Sequence, residues 1–396
     1  MKRDFQRLTT PHFFAATLIA MGLLLAGGLP GRAITITPIF DSSITTDPNA
    51  ATIEATINAA IGIYESVITD PISVTIEYKE MTSGLGTNST YFDPVPYTSY
   101  VAALANSATS INDGIAVSHL PHTLNNPVNN NLTVNLQLPN ARALGFAIVP
   151  PDGMPDGTVS LNTSIMNLSR ASTDPSKFDL MATAMHETDE VLGFGSALNG
   201  LANGTAPPNS AIWPMDLFRY DASGARSFNT AASATAFFSL DGTTDLVGFN
   251  QHGGGDYSDF LSWPHGGSPP RIQDAYATPG ATPNMGIEFT ALDIMGYHLV
   301  PLSGDANSDG IVNSQDLALI ASSWLAKGSG PADLNHDGIV NSQDLALISA
   351  NWLGTYGSAG SGGPANAAAV PEPATWLLAA IAVVMTTIAT TARKRV

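Results

Sequence analysis

His186, Glu187 and Glu190 are spaced so that they could bind a metal ion and move a proton. The stretch MATAMHETDEVLGFGS, residues 181–196, has apolar residues at helical spacing and ends in Gly193, which can stop a helix. His186 and Glu190 are four residues apart, so on a helix they share one face and could converge on one ion. Glu187 could then act as general base on a water molecule. The alternative is a plain hydrogen bond between His186 and Glu190 on an amphipathic helix.

A repeated acidic segment predicts two calcium loops. DANSDGIVNSQD (305–316) recurs as DLNHDGIVNSQD (333–344), and LALI follows each copy. Oxygen ligands at positions 1, 3, 5 and 12, a glycine at 6, a carbonyl at 7 and a water-mediated ligand at 9 form the pattern of a calcium loop. The predicted ligands are Asp305, Asn307, Asp309, Ile311 (carbonyl), Asn313 and Asp316 in the first loop, and Asp333, Asn335, Asp337, Ile339 (carbonyl), Asn341 and Asp344 in the second.

Residues 34–300 must supply the elements that position His186, and their patterns predict an α+β domain. Alternating apolar residues indicate strands and a 3.6-residue period indicates helices. The predicted strands are 34–40, 72–81 and 132–139, with further candidates in ALGFAIVP (143–150) and GTVSLNTS (157–164), and the predicted helices are 48–68 and 97–108. Asp174 as N-cap and Pro175 in the first turn predict where the helix of His186 begins.

The two ends of the chain have the composition of targeting segments. Residues 1–33 combine basic residues, an apolar run and a small-residue cleavage site, as in a secretory signal peptide. Residues 370–396 place Pro371-Glu372-Pro373 before an apolar stretch and a basic end, which predicts a membrane-spanning tail. Between the second calcium loop and this tail, residues 355–369 read as a flexible linker.

The charge balance excludes one class of partner. The 396 residues include 33 Asp and Glu against 15 Lys and Arg, and seven of the basic residues lie in the terminal segments. A nucleic-acid partner would need a basic face, so none is expected. The chain has no cysteine, so metal ions or a large core, and not disulfides, must stabilise it outside the cell.

The body of the chain resembles a known family of metalloproteases. HETDEVLGF (186–194) is similar to the HExxHxLGF helix of metzincin-like bacterial proteases, which are zincins and include a group that commonly carries PEP-CTERM tails. The segments PMDLFRY (214–220), GGGDYSDF (253–260) and EFTALDIMGY (288–297) are similar to later segments of that group. The resemblance implies a zincin-like domain over residues 34–300, with a mixed sheet, an active-site helix and zinc or another divalent metal. Met295 is similar to the methionine of the turn beneath the metal, and the alternative is a buried residue at a helix end.

The sequence departs from that family at two ligand positions. Glu190 replaces the second histidine, which makes the motif HExxE, and Ser196 stands where a metzincin has its third. The third ligand is therefore expected farther along the chain. Asp259 is the first choice because it closes the glycine-rich turn, and His252 and His265 are the alternatives.

The C-terminal part resembles two further families. The duplicated loops and the helices after them, residues 304–354, resemble a type I dockerin, which implies an α-helical module with two calcium ions and a cohesin-like partner. The alternative is a calcium-stabilised spacer before the tail. In that family partner choice is read at Ser314-Gln315 and Ser342-Gln343. The tail resembles the PEP-CTERM sorting signal, which implies processing by an exosortase at the envelope of a Gram-negative-type bacterium after transient anchoring.

These features favour one function over two others. The leading hypothesis is a secreted metal-dependent endopeptidase in which Glu187 activates water and His186, Glu190 and Asp259 hold the metal. The first alternative is a non-catalytic surface or matrix protein with a degenerate zincin domain that docks through its dockerin. A polysaccharide-degrading hydrolase is the third hypothesis, although no pair of carboxylates supports it.

Overall fold

The computed structural model describes residues 33–262, 265–267, 269–308, 310–328 and 330–354. The predicted signal peptide, linker and sorting tail lie outside the described residues, and so does the predicted calcium ligand Asp309. None of the described helices has the length and apolar character to cross a membrane.

A mixed four-stranded sheet forms the centre of the body. Its strands are β1 (Thr35–Phe40), β2 (Ser73–Glu80), β3 (Gly86–Thr90) and β6 (Gly157–Leu161), in the order β1-β2-β6-β3. The β1–β2 and β2–β6 pairs are parallel, whereas β3 runs antiparallel to β6. Strand β3 is therefore an edge strand of this sheet.

Helices and short strands complete the body. They are α1 (Ser42–Thr45), α2 (Ala50–Val67), β4 (Phe92–Pro96), α3 (Tyr97–Ser107), α4 (Ile111–Ser118), β5 (Thr133–Gln137), α5 (Leu138–Ala143), β7 (Met166–Asn167), β8 (Phe178–Asp179), α6 (Leu180–Leu192), α7 (Ala197–Ala202), β9 (Arg219–Tyr220), β10 (Phe237–Phe238), β11 (Val247–Gly248) and α8 (Ile287–Ile294). The mixture of helix and sheet agrees with the predicted α+β class.

Two local predictions were wrong. Residues 143–150 form no strand, because Ala143 still belongs to α5, whose first turn contains Pro139, and irregular backbone follows. The helix of His186 begins at Leu180 and not near Asp174, whose carboxylate accepts the Ser176 amide within a local turn. The chain stays extended up to Asp179 because β8 pairs with β7.

The helix α6 is held between the sheet and other helices. Leu180, Ala184, Val191 and Leu192 are fully buried in the core, as an amphipathic helix requires. On another side Tyr64 of α2 donates its hydroxyl to the Met185 carbonyl at 2.8 Å. These contacts fix the rotation of α6, so its remaining face presents His186 and Glu190 to the cleft.

The C-terminal module is a pair of calcium-type loops, each followed by a short helix. Helices α9 (Ser314–Ser322) and α10 (Ser342–Ala350) carry the same capping box, from Asn313 to Asp316 and from Asn341 to Asp344. The apolar faces of both helices and residues of the preceding loops form a small separate core, whose buried members are Val312, Ile320, Ala332, Val340 and Ile348.

Candidate metal centre and calcium loops

Three predicted ligands lie together beside β3. Ligand atoms of His186, Glu190 and Asp259 all lie within 4.8 Å of one another. The His186 Nε2 atom is 3.8 Å from Glu190 Oε1 and 3.9 Å from Asp259 Oδ2. One nitrogen and two carboxylate oxygens thus face a common point, although Asp259 is 73 residues from His186 in the chain.

The tautomer of His186 follows from its second ring nitrogen. Nδ1 lies 2.9 Å from the carbonyl oxygen of Ile272, which can only accept a hydrogen bond. Nδ1 must therefore carry the proton, and in the neutral ring the lone pair is on Nε2, the atom that faces Glu190 and Asp259. A backbone partner of this kind is usual for a metal-binding histidine.

Asn88 connects the candidate base with a candidate ligand. The side-chain amide of Asn88, in the middle of β3, donates to Glu187 Oε2 at 2.9 Å and also to Glu190 Oε2. Glu190 Oε1 remains directed towards His186. The edge strand therefore orients both carboxylates at once.

Asp259 is oriented in the same way. Gln273 donates its side-chain amide to Asp259 Oδ1 at 3.0 Å, while Asp259 Oδ2 faces His186. The carboxyl group is buried, with 3% of the residue exposed. Every candidate ligand thus has one atom fixed by the protein and one directed to the shared point.

The electrostatics of this cluster favour a cation. Burial lowers the pKa of His186, but Asp259 and Glu187 outweigh that effect and raise it to about 9. Burial raises the pKa of Glu190 well above its usual range, and Asp259 and Glu187 add to the effect. Among the described residues, no Lys or Arg forms a salt bridge with these carboxylates. Without a metal, the raised pKa means that a protonated His186 supplies one positive charge to the carboxylates. A divalent ion would replace the Nε2 proton and bring a larger positive charge to the same point.

The donor set fits such an ion. Zinc accepts histidine nitrogen and carboxylate oxygen at ~2.0–2.2 Å, and an oxygen-rich set also suits manganese or calcium. The convergence of three oriented donor atoms in a buried acidic site is the observation that supports this fit.

The loop that carries Asp259 is held by Arg219. This buried guanidinium donates to the carbonyl of Tyr257 at 2.5 Å and to that of Asn250 at 3.0 Å, and it lies over the ring of Phe249. The two ends of the glycine-rich turn are thereby joined close to Asp259.

The other predicted positions lie elsewhere. His252 and His265 stack on each other with ring centres 4.0 Å apart, and neither belongs to the cluster around His186. Ser196 donates its hydroxyl to Asp216 and accepts the amide of Leu198, so it caps α7. Met295 is buried and lies under the end of α6, where a Cβ atom on Gly193 would be 3.1 Å from its methyl group.

Two clefts flank the cluster along β3. A cleft of about 440 Å³ is lined by Gly86, Thr183, His186 and Glu187. A second one, of about 370 Å³, is lined by Asn88, Thr90 and Glu190 at the other end of the strand. The edge strand thus runs from one cleft, past the candidate ligands, to the other.

The C-terminal loops have the backbone that calcium loops need. Gly310 and Gly338 at position 6 have φ of 84° and 86°, in the region that favours glycine. The buried position-12 carboxylates accept loop amides: Asp316 from Ala306 and Asp344 from Asn335, at 2.7 and 3.1 Å.

The position-9 residues also cap helices, which the sequence analysis did not foresee. Asn313 and Asn341 accept the amides of Gln315 and Gln343, each at 2.7 Å. Their predicted role as water-mediated ligands stays a prediction.

Sequence reasoning missed Asn88, Gln273 and Arg219. Asn88 lies 99 positions from Glu187, and nothing in β3 marks it as a partner of a helix so far along the chain. Arg219 belongs to the motif PMDLFRY (214–220), but the sequence does not show that it binds the carbonyls at the two ends of the glycine-rich loop.

The comparisons with known proteins identify one part of the chain. Residues 303–353 match the family described as Dockerin type I domain. This region is thus a dockerin, a calcium-binding module, as the sequence analysis predicted. No curated protein and no solved structure matches the chain.

Proposed function

We propose that residues 34–300 form a metal-dependent endopeptidase with zinc or another divalent ion held by His186, Glu190 and Asp259. The observation that carries the proposal is the convergence of these three oriented ligand atoms next to Glu187. The zincin-like resemblance of the same segments supports it. A metal ion bound there would act as Lewis acid and lower the pKa of a water molecule.

Glu187 has the position and the environment of a general base. Burial raises the pKa of its carboxyl group, while the charge of His186 and the hydrogen bond from Asn88 oppose this shift. A carboxylate whose pKa is raised towards the working pH accepts a proton from water more readily. Glu187 would then hold that proton and pass it to the leaving amine.

The edge strand favours a peptide over other substrates. In the described structure β3 pairs only with β6, and it lines both clefts. An extended peptide can add to a free strand edge through its backbone, and here this would lay the chain across Glu187.

The substitution Glu187→Gln tests the enzyme. We expect Glu187→Gln to keep the divalent ion of the His186 site at the wild-type level and to lower kcat for casein or a quenched peptide by at least about 10²-fold, the usual scale of general base catalysis. Metal analysis and proteolysis assays measure the two effects. A wild-type protein that binds no transition metal and cleaves no peptide would exclude the proposal.

The dockerin is proposed to dock the enzyme to a cohesin-like protein. Ser314-Gln315 and Ser342-Gln343 are exposed at the starts of α9 and α10, in equivalent places of the two repeats. Capture by an immobilised type I cohesin that is reversed by EGTA tests this partner.

The place of action is proposed from the terminal segments alone. A signal peptide at residues 1–33 and a PEP-CTERM-like tail at 370–396 would deliver the chain to the envelope and to an exosortase-type enzyme. Fractionation of cells that carry the intact chain, beside a chain ending at residue 354, tests this location.

A further inference from the structure

The second cleft, next to Glu190, is lined by residues whose charge and polarity favour one kind of ligand. Its lining includes Gln137, Trp213 and Asp256 beside Asn88 and Glu190, and we refer to it as the Trp213 pocket. Its lining contains two carboxylates and neither lysine nor arginine. The charge of Glu190 belongs to the metal cluster, so Asp256 supplies the net charge of the pocket itself.

Gln137 lines this pocket and has a buried acceptor without a partner. The residue is 1% exposed, and its side-chain amide nitrogen donates to the Phe194 carbonyl at 3.1 Å. Its Oε1 atom has no hydrogen-bond partner among the described residues. A buried acceptor without a donor costs about 1–3 kcal/mol, so a ligand that brings an N–H group would be favoured.

Asp256 adds an oriented carboxylate. The side chain of Asn199 hydrogen-bonds to this carboxylate and also accepts the amide of Tyr257 at 2.8 Å. The residue is exposed, and no Lys or Arg of the described chain forms a salt bridge with it. The carboxylate is therefore held by Asn199 without a Lys or Arg partner, and the positive charge that acts on it is that of His186.

Trp213 is an aromatic residue in the lining of the pocket, and it packs against Phe92. Phe92, which is 50% exposed, meets Trp213 edge to face with ring centres 4.9 Å apart. Gly195 lies between Trp213 and Gln137, where a Cβ atom would be 3.3 and 3.1 Å from them. A planar cation can stack on an indole ring, and guanidinium does so better than ammonium.

We propose that the Trp213 pocket binds an arginine side chain of the peptide substrate. Its guanidinium would stack on Trp213, pair with Asp256 and donate to Gln137 Oε1. This inference rests on the proposed function, because it names the substrate class of the same site. The net charge of −18 would also favour the approach of basic peptides.

The test compares arginine with citrulline, which has nearly the same shape but no charge. Quenched peptides carry arginine, citrulline or glutamate at one position on either side of the scissile bond. For wild type we expect about tenfold higher kcat/KM with arginine than with citrulline, as a charged hydrogen bond would give. In Asp256→Asn this ratio should fall to below about twofold, while the citrulline peptide is cleaved as before. Asp152→Asn, which removes an equal charge from an exposed loop, should keep the wild-type ratio.

A binding measurement separates the two proposals. N-acetyl-arginine amide should bind the intact protein in a titration followed by NMR or calorimetry, and Asp256→Asn should weaken it about tenfold. Cleavage without a preference for arginine at any position would overturn the arginine pocket and leave the peptidase standing. If no peptide is cleaved but binding depends on Asp256, the peptidase fails and the pocket stands. If neither cleavage nor binding depends on Asp256, the pocket is overturned.

Discussion

At the scale of single residues, each candidate ligand is held by the atom that it does not offer to a metal. The backbone oxygen of Ile272 fixes His186, the amide of Asn88 fixes Glu190, and that of Gln273 fixes Asp259. Such partners lower the conformational freedom that a ligand loses on binding, and their removal commonly weakens metal binding 10- to 100-fold, roughly.

Asn88→Ala should therefore weaken the site without removing a ligand. We expect the dissociation constant for zinc to rise by about 10- to 100-fold, because the carboxylates of Glu190 and Glu187 lose their common donor. A competition titration with a chromogenic chelator measures this change.

Asn135→Ala is the matched control for Asn88→Ala. Asn135 lines the same cleft, but its side chain has no hydrogen bond to Glu187 or Glu190 in the described structure. An unchanged dissociation constant for Asn88→Ala would show that Glu190 does not depend on this amide.

At the scale of elements, the distance between β3 and α6 decides where the base can lie. A Cβ atom built on Gly86 would overlap Glu187 Oε1 and would be 2.9 Å from the Thr183 methyl group. The absence of a side chain at Gly86 is therefore what admits the carboxylate of Glu187 between helix and strand.

Gly86→Ala should displace Glu187 and spare the metal. We expect kcat/KM for peptides to fall by about tenfold or more, because small misplacements of a catalytic group are costly, while the bound metal stays at the wild-type level. Steady-state kinetics and metal analysis on the same preparation measure both quantities.

Gly62→Ala provides the comparison for Gly86→Ala. Gly62 lies inside α2 with no atom within 4 Å of a built Cβ, so alanine there should raise the free energy of unfolding by about 0.5–1 kcal/mol and leave kinetics unchanged. Full activity in Gly86→Ala would mean that Glu187 does not act from its present position.

The calcium loops should fold and unfold independently of the body. Four buried acids, Asp305, Asp316, Asp333 and Asp344, lie in a module whose own core cluster has five buried apolar residues. Metal binding then supplies much of the folding free energy, so EGTA should unfold α9 and α10 and leave the body folded.

Limited proteolysis with mass spectrometry would locate that unfolding. New cuts should fall within 303–353 after EGTA treatment and disappear on addition of calcium. Magnesium at the same concentration is the control, because its smaller, octahedral shell does not suit these loops. Protection of the helices without calcium would show that the small core suffices.

At the scale of the whole molecule, a buried acid should make stability depend on pH. Asp293 in α8 is 4% exposed and accepts a hydrogen bond from the hydroxyl of Ser110, the N-cap of α4, at 2.7 Å. Burial raises its pKa to about 8, Asp113 adds to this shift, and Ser110 and His298 oppose it. The folded state thus holds a proton that the unfolded chain releases above about pH 4.

Asp293→Asn should flatten that dependence. The contribution of Asp293 is present in full below its unfolded pKa and is lost as the pH rises towards 8, so wild type should lose more stability than the variant from pH 5 to pH 8. Urea midpoints at pH 5, 6.5 and 8 at constant calcium measure the difference. Asp245→Asn, at an exposed position, should follow wild type. Parallel curves for wild type and Asp293→Asn would contradict the assignment.

Local sequence patterns predicted which helices and strands exist better than they predicted the residues at which these elements begin and end. The spacing of apolar residues predicts strand β1 and helix α2. The predicted ranges differ from the observed ones by at most two positions at each end. The start of α6 was missed because β7, a pairing partner twelve residues upstream, keeps Phe178 and Asp179 extended. A cap pattern at Asp174 cannot reveal such a partner.

The site was predictable to the extent that it is local. His186, Glu187 and Glu190 follow from helix geometry, and Asp259 was chosen from its turn. The choice between Asp259 and His252 depends on how Arg219 folds the loop, and the role of Asn88 depends on strand pairing. Contacts between residues so far apart in the chain arise from tertiary packing, and a single stretch of sequence cannot predict them.

The two hydrogen bonds that Arg219 donates affect which residues of the glycine-rich loop can be substituted. Because Arg219 joins Asn250 to Tyr257, residues 251–256 form a closed loop. Changing the length or composition of this loop alters the entropy of loop closure only a little. Asp256 lies inside this loop, whereas Asp259 lies after it in the chain. If the proposed function holds, changes at these six positions should alter the proposed arginine preference and leave the candidate ligand Asp259 in place, which makes this loop a natural target for directed evolution.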